Sequence, residues 1–447
     1  MRGRHWGLAL GAWCWASSAA AQTASRDGFS LSGTVRLRAE AIDGQARAGF
    51  NEADELINLR TTLMAQYRDG PVRFVAELWD SRVYGDQRGT PISTGEVNAV
   101  ELVQAFAELK AADFAGTGSN ATVAVGRFVM NLGSRRLIAA DDYRNTTNGY
   151  TGVRADLSWQ RDWHATLIYT LPQQRRPDDL ARLRRNAVAF DHEGFDLVLW
   201  GGLVSREKAI GPLTIEGGFF HLGERDTPGR PTRDRSLDTV SVRVIRDPAP
   251  GHLDGEVEAI GQRGHLSASL APTAARQQAR AWFVHADTGY TFGDPWKTRL
   301  SVEYDHASGD KPGGANNRFD TLFGMRRADL APAGLFNAIS RSNVISTGLR
   351  VEAVPDKRTD LMATIHPMWL DAREDSFSST AVRDASGRSG RFAGTQLDGR
   401  VRHLVAPWLR LEADLVLLAK GRFLRDAPNA PPGRWTRYLS LNATATF

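Results

Sequence analysis

The chain closes with Tyr438-Leu439-Ser440-Leu441-Asn442-Ala443-Thr444-Ala445-Thr446-Phe447. Leu439, Leu441, Ala443, Ala445 and Phe447 fall on one side of an extended backbone; Tyr438, Ser440, Asn442, Thr444 and Thr446 fall on the other. Alternation with a period of two marks a strand with one apolar and one polar face. Ending on an aromatic residue of the apolar face is unusual for a strand that packs into a soluble core.

The start of the chain bears on which face is buried. Arg2, Arg4 and His5 precede an apolar stretch from Trp6 to Trp15, and Ala19-Ala20-Ala21 offers a small-residue cleavage site. Residues 1–21 therefore read as a secretory signal peptide, with an apolar core too short to span a bilayer. The single cysteine, Cys14, lies within it, so residues 22–447 hold no thiol for a disulfide, a nucleophile or a metal. The longest apolar runs beyond it resemble Leu197 to Val204, far short of a transmembrane helix. A secreted chain of this kind, ending in an amphipathic strand with a terminal Phe, reads as an all-β, transmembrane antiparallel β-barrel of the bacterial outer membrane. Its apolar faces then meet lipid and its polar faces a lumen.

Residues 22–447 are expected to form one barrel, without a linker or second domain. Strand-like segments succeed one another from 29–42 to 434–447, about 18 in all, an even number within the bacterial range. Tight turns (Asp69-Gly70, Arg161-Asp162, Gly293-Asp294-Pro295, Pro355-Asp356-Lys357 and Ala406-Pro407) alternate with long polar loops. The loops are 83–99, 131–149, 173–194, 223–235, 263–279, 309–342, 372–392 and 420–433. Short turns are expected at the periplasm, together with both chain ends, and long loops outside the cell. Loop 309–342 is long enough to fold inward as a constriction.

Val240, Val242 and Val244 form one lipid-facing stripe, and Leu409, Leu411, Ala413, Leu415 and Leu417 another. Trp79, Trp159, Trp163, Trp200, Trp296, Trp369, Trp408 and Trp435 lie near strand ends, as an aromatic girdle requires. The polar faces carry Arg36, Arg38, Glu40, Arg60, Arg73, Glu77, Arg154, Asp156, Arg243, Glu256 and Glu258. Arg299, Glu303, Asp305, Arg350, Glu352, Arg400, Arg402, Arg410, Glu412 and Asp414 continue the set. Guanidinium groups keep their charge and match carboxylates with a planar fork, so a lumen lined this way attracts anions, carboxylated sugars in particular. Cross-strand pairing with the interleaved acids is the structural alternative for any one of them.

Other chemistry is weakly signalled. Arg175, Arg176, Arg182, Arg184 and Arg185 concentrate in one loop, placed to touch lipopolysaccharide phosphates or an anionic polymer. The basic residues otherwise mingle with acids, which gives no case for nucleic acid. No nucleophile stands beside a base: His164, His221, His285, His306, His366 and His403 are scattered, and His285 with Asp287 is the minimal pair on one face. The Asp310 to Asp320 loop lacks EF-hand spacing. No catalytic residue, metal site or cofactor is expected.

Tyr304-Asp305-His306-Ala307-Ser308-Gly309-Asp310, followed by Phe319-Asp320-Thr321-Leu322-Phe323, resembles the strand-and-loop signature of the alginate-export porins. Similar stretches are Arg36-Leu37-Arg38-Ala39-Glu40; Glu77-Leu78-Trp79-Asp80-Ser81-Arg82; and Gly126-Arg127 through Asn131-Leu132-Gly133 and Arg135-Arg136-Leu137 to Asp142-Tyr143-Arg144-Asn145. The resemblance covers nearly the whole mature chain. It implies an 18-stranded barrel passing a polyuronate outward through an electropositive constriction, with Arg36, Arg38, Glu40, Arg127 and Asp305 as pathway residues. Alternation from Val123 and Val125 turns Arg127 toward lipid, so a bulge at Gly126 is needed to bring it inward. The expected function is an outer-membrane channel for an anionic polysaccharide, served by a periplasmic scaffold of an export apparatus. An uptake porin for small anionic sugars or carboxylates is the first alternative, and a barrel hydrolase the second.

Overall fold

A computed structural model describes residues 27–447 apart from 142, 161, 326–328 and 331. Residues 1–21, expected to be a signal peptide, Asp142, and Arg161 of one expected turn lie outside the described residues. The chain forms β1 (Gly28–Asp43), β2 (Ala53–Asp69), β3 (Val72–Tyr84), β4 (Asn98–Ala112), β5 (Asn120–Phe128) and β6 (Tyr150–Trp159). Next come β7 (Trp163–Pro172), β8 (Leu197–Ile210), β9 (Leu213–Glu224), β10 (Ser236–Arg246), β11 (Leu253–Ser267) and β12 (Arg276–Thr291). The last are β13 (Arg299–Ala307), β14 (Val344–Asp356), β15 (Thr359–Trp369), β16 (Phe392–Ala406), β17 (Leu409–Lys420) and β18 (Trp435–Thr446). Two short helices, α1 (Leu180–Leu183) and α2 (Arg422–Asp426), sit in loops.

All strands join one antiparallel, 18-stranded sheet that closes on itself by pairing β1 with β18, from Thr34 opposite Thr446 to Asp43 opposite Arg437. The apolar face of the last strand points outward: Leu439 and Leu441 are exposed, while Tyr438 and Ser440 are buried. Val240, Val242, Leu411 and Leu415 are exposed in the same way. Phe447 bonds backbone to backbone with Gly33 in both directions, at 2.9 and 3.0 Å. A side chain on Gly33 would meet the Phe447 ring at 2.5 Å and the Thr62 carbonyl at 2.6 Å, so the terminal ring needs a glycine beneath it.

The long loops stand where the sequence puts them, with one difference. β11 and β12 pair as far as Ser267 opposite Arg276, which shortens the expected loop 263–279 to residues 268–275. Trp200, Trp296, Trp408 and Trp435 are exposed on the outer surface. Trp79 departs from that belt: it shares the inward face of Glu77, and Arg60 lies 4.5 Å over its ring in the barrel interior, a cation–π pair.

Gly33→Leu should destabilise the refolded barrel by roughly 1–3 kcal/mol, as overpacking does. Combined with Phe447→Ala the loss should be less than the sum, because both changes break one contact; urea unfolding followed by tryptophan fluorescence reads the difference.

Candidate functional site

Two long loops fold into the barrel. Residues 129–149 cross the interior between β1–β3 and β11, and residues 308–343 run from β13 to β1, β16 and β18. Met130, Leu132, Ile138, Leu330, Phe336 and Ile339 are buried in one apolar cluster formed by these loops. At the short-turn end a recess of about 780 Å³ opens among Ser205, Glu207, Thr214, Glu216, Asp247 and His252. Glu216 also lines a much smaller pocket with Leu132, Gly133 and Ser134, so the recess ends against the underside of loop 129–149.

Interior charges are sorted by wall. Across β9 to β13, one row reads Glu216, Arg243, Glu258, His285, Asp305, and the next Glu256, Asp287, Glu303. Carboxylates outnumber guanidinium groups here, and each arginine has acids within reach. Arg243 bonds Glu256 at 2.6 Å and lies 3.7 Å from Glu216. Arg299 meets Asp254 at 2.5 Å, Glu352 at 3.3 Å, and Asp287. Arg350 pairs with Glu303 at 3.1 Å. Asp305 accepts from His285 at 2.9 Å, so the cross-strand neighbour and not Asp287 is the partner of that histidine.

On the opposite wall one row is cationic. Thr444 on β18 stands between Arg36 on β1 and Arg410 on β17, and Arg36 faces Arg60 on β2. Arg36 donates to the Arg144 carbonyl at 2.6 Å and to Asn145 Oδ1 at 3.4 Å; Arg60 donates to the same Arg144 carbonyl at 3.1 Å. One step up, Arg38 is fully buried, donates to Asn442 Oδ1 at 2.6 Å and to the Tyr143 carbonyl, and lies 4.0 Å over the Tyr143 ring. Glu40 accepts from Asn58 at 2.9 Å and from the Leu335 amide at 2.7 Å, which holds the second loop to β1. Arg400 and Arg402 meet Asp360 at 3.2 and 2.9 Å, and Arg154 meets Asp156 at 2.8 Å. Interior arginines thus occur on many strands, beside one another in the row Arg60, Arg36 and Arg410 and among carboxylates on the β9–β13 wall.

Arg127 does not join this cluster. The β5 register runs unbroken through Gly126 against both neighbours, so no bulge turns the side chain inward. Phe128, the next residue, packs on Phe106 inside the barrel, which leaves Arg127 on the face of Val123 and Val125. Its guanidinium meets Glu101 at 2.5 Å, the Leu102 carbonyl at 2.6 Å, and Glu193 of loop 173–196.

Residues outside the sequence-based set tie the loops together. Arg136 takes Asp329 in a two-pronged grip at 2.9 Å on each oxygen, Glu258 at 2.7 Å, and Glu256. Arg341, fully buried, grips Asp329 from the other side. Burial alone would lower the Arg136 pKa, yet Asp329, Glu256 and Glu258 raise it well above the ordinary value. His285, Asp305 and Asp329 offer atoms within 4.8 Å of one another, the spacing of a cation site. Two guanidinium groups already balance Asp329, which makes this an ion network between loops. The stretch Arg135-Arg136 to Asn145, conspicuous in the sequence, was the signal for Arg136, Tyr143 and Arg144; Asp329 and Arg341 carry no local pattern.

A family model described as alginate export matches residues 28–435. No curated protein matches the chain in sequence. Among solved structures, the chain is similar in fold to three Pseudomonas porins. OccK8 (OprE) of Pseudomonas aeruginosa is 10% identical with a TM-score of 0.59, covering 94% of this chain and 99% of that one. OccK2 (OpdF) of the same organism, in complex with glucuronate, is 12% identical with a TM-score of 0.58, over 94% and 99%. A BenF-like porin of Pseudomonas fluorescens Pf-5 is 13% identical with a TM-score of 0.58, over 93% and 98%.

Arg136→Ala leaves Glu256, Glu258 and Asp329 without their shared cation. Breaking one side of a buried pair costs about 3–5 kcal/mol, so the inward loops should loosen and single-channel conductance should rise. A second expectation concerns Asp191, which accepts from Asn98 at 3.1 Å and from the Arg176 amide at 2.9 Å. Burial, then the neighbouring Glu101, pushes its pKa up to about 6. The folded chain thus holds this proton to higher pH than an exposed Asp does. The resulting stabilisation is full below the ordinary Asp range, declines through it and is gone above about 6. Amide exchange of residues 186–192, corrected for intrinsic rates, should be faster at neutral than at acid pH, and Asp191→Asn should flatten that dependence.

Proposed function

This chain belongs to the alginate export family of bacterial outer-membrane channels, and from that premise we propose that it passes acidic saccharides, reading their carboxylates with the row Arg60, Arg36 and Arg410. The observation that carries this reading is the convergence of Arg36 and Arg60 on one loop carbonyl, at 2.6 and 3.1 Å. Two cationic forks aimed at one oxygen acceptor offer the geometry that a sugar carboxylate needs. Backbone oxygens of loop 129–149 take that place in the closed arrangement, and movement of the loop turns the donors to the lumen. Arg38, Arg400 and Arg402 extend the row's positive field, while Arg154, Arg243, Arg299 and Arg350 stand among carboxylates that temper it. A cargo held by several such contacts in turn is bound firmly enough to enter and weakly enough to leave.

The polymer reading is outward passage of an alginate-like polyuronate, handed over by a periplasmic scaffold. A second reading, uptake of small uronates, is favoured by the two loops that fill the extracellular half of the barrel. The complex of OccK2 with glucuronate is in keeping with it.

The test is single-channel recording of the refolded chain in a planar bilayer under a salt gradient, with oligouronates added. Anion-selective conductance blocked by oligomannuronate or oligoguluronate is expected. Arg36→Gln with Arg60→Gln should move the reversal potential toward cation selectivity and weaken block by about tenfold or more, given about 1.5–3 kcal/mol for a hydrogen bond to a charged group. Unchanged selectivity and block would sink the assignment. Block by monomeric glucuronate and not by longer oligomers would favour uptake.

A further inference from the structure

The first half of loop 173–196 faces inward, where Arg175 donates to the Thr147 carbonyl at 2.8 Å and to Asn148 Oδ1 at 2.7 Å, but from Asn186 onward the segment bears on the rim of the wall. Asn186 bonds the backbone of Val83 in both directions at 2.8 Å, and Val188 bridges Ala99 as a parallel partner, so the segment continues the wall above β3 and β4. Arg127, on the lipid-facing side of β5, ties Glu193 to the same wall. Alternation along this extended segment puts Val188 and Phe190 on one side, and they are 50% and 73% exposed; Phe195 is 72% exposed. Aromatic side chains this exposed do not suit contact with water alone. Val100, next to the Ala99 that Val188 bridges, and Trp200 on the outer face of β8 are exposed as well.

Cations flank it. Arg185 is exposed and donates to the Ala181 carbonyl at 3.2 Å; Arg182 is exposed with Asp179 at 4.0 Å. The acids further along are already engaged: Asp191 with Asn98, Glu193 with Arg127, and Asp196 with Arg230 at 3.1 Å. The surface thus presents apolar side chains beside outward guanidinium groups.

We infer that loop 173–196 is an outer-leaflet anchor, seating Val188, Phe190 and Phe195 among acyl chains while Arg182 and Arg185 hold phosphates of the same lipid. The occupant is a phosphorylated, acylated glycolipid of the lipid A kind. Aromatic rings settle at the headgroup level, and arginine grips phosphate there by charge-assisted bonds. The inference rests on the barrel's place in the membrane and is independent of its cargo.

Nitroxide labels placed by Phe190→Cys and Phe195→Cys test it, in a chain expressed without residues 1–21 and hence without Cys14. The barrel is reconstituted in phosphatidylcholine vesicles doped with lipid A. Labels at 190 and 195 should be open to oxygen and shielded from a nickel chelate, unlike a reference label at Thr273 in the exposed loop 268–275. Arg182→Gln with Arg185→Gln should lower lipid A retention through detergent washing by several-fold, up to about thirtyfold at roughly 1 kcal/mol per cation. Labels as open to the nickel chelate as the reference would overturn the anchor. So would dipolar broadening between labels on separate chains, which would mean that a second copy covers the patch. Unchanged lipid A retention in the arginine variant would overturn the phosphate contact.

Discussion

A strand edge in hydrocarbon has no water to bond, and each unsatisfied backbone group costs several kcal/mol. The sheet must therefore close, and the pairing of β1 with β18 is where it does so. Once closed, alternation sorts every strand residue into a lipid face or an interior face. A barrel of this circumference is too wide for side chains alone to fill, so charged residues and loops occupy its interior. The seam at Gly33 and Phe447, the charged rows and the inward loops all follow from that closure.

Interior charge brings its own demand, because a guanidinium removed from water needs oxygen acceptors. The β9–β13 wall supplies them from its own carboxylates. In the row Arg60, Arg36 and Arg410, which lies beside threonine, Arg36 and Arg60 reach for the carbonyl of Arg144 on loop 129–149. That demand gives a physical reason for the loop to fold inward. Its apolar residues then meet those of loop 308–343, and a hydrophobic cluster forms inside an otherwise polar barrel.

Period two made the strands and their faces legible from Val240 to Phe447, and turn chemistry made the loop order legible. Trp79 reads as a belt residue by its place near a strand end, yet alternation already puts it on the inward face of Glu77, where Arg60 lies over its ring. Two particulars escaped because they depend on neighbours in space. Arg127 follows plain alternation outward; the bulge invoked to bring it inward was unnecessary, because a loop supplies Glu193 outside the wall. His285 shares a face with Asp287, but Asp305 stands directly opposite it across the ladder and takes the bond. Loop conformation was beyond reach for a related reason. Residues 129–149 and 308–343 have no periodicity, and their placement follows from charges on strands far away in the chain. The motif that includes Arg136 and Arg144 marked the first loop as important without telling which way it folds.

The two attachments of loop 129–149 differ in kind. At β1 and β2 it is held through neutral carbonyls donated to by Arg36, Arg38 and Arg60; at β11 and loop 308–343 it is held by Arg136 in ion pairs with Glu258 and Asp329. Both sets have a charged donor, but the acceptors of Arg136 are charged as well, which adds Coulomb attraction, and its two-pronged pair adds geometric fit. A carboxylate arriving in the lumen therefore competes well for the β1–β2 arginines and poorly for Arg136. On the reading proposed for this channel, the loop yields first at the cationic row and stays fastened at Arg136. The same residues that select an anion would then sit where the barrel gives way to it.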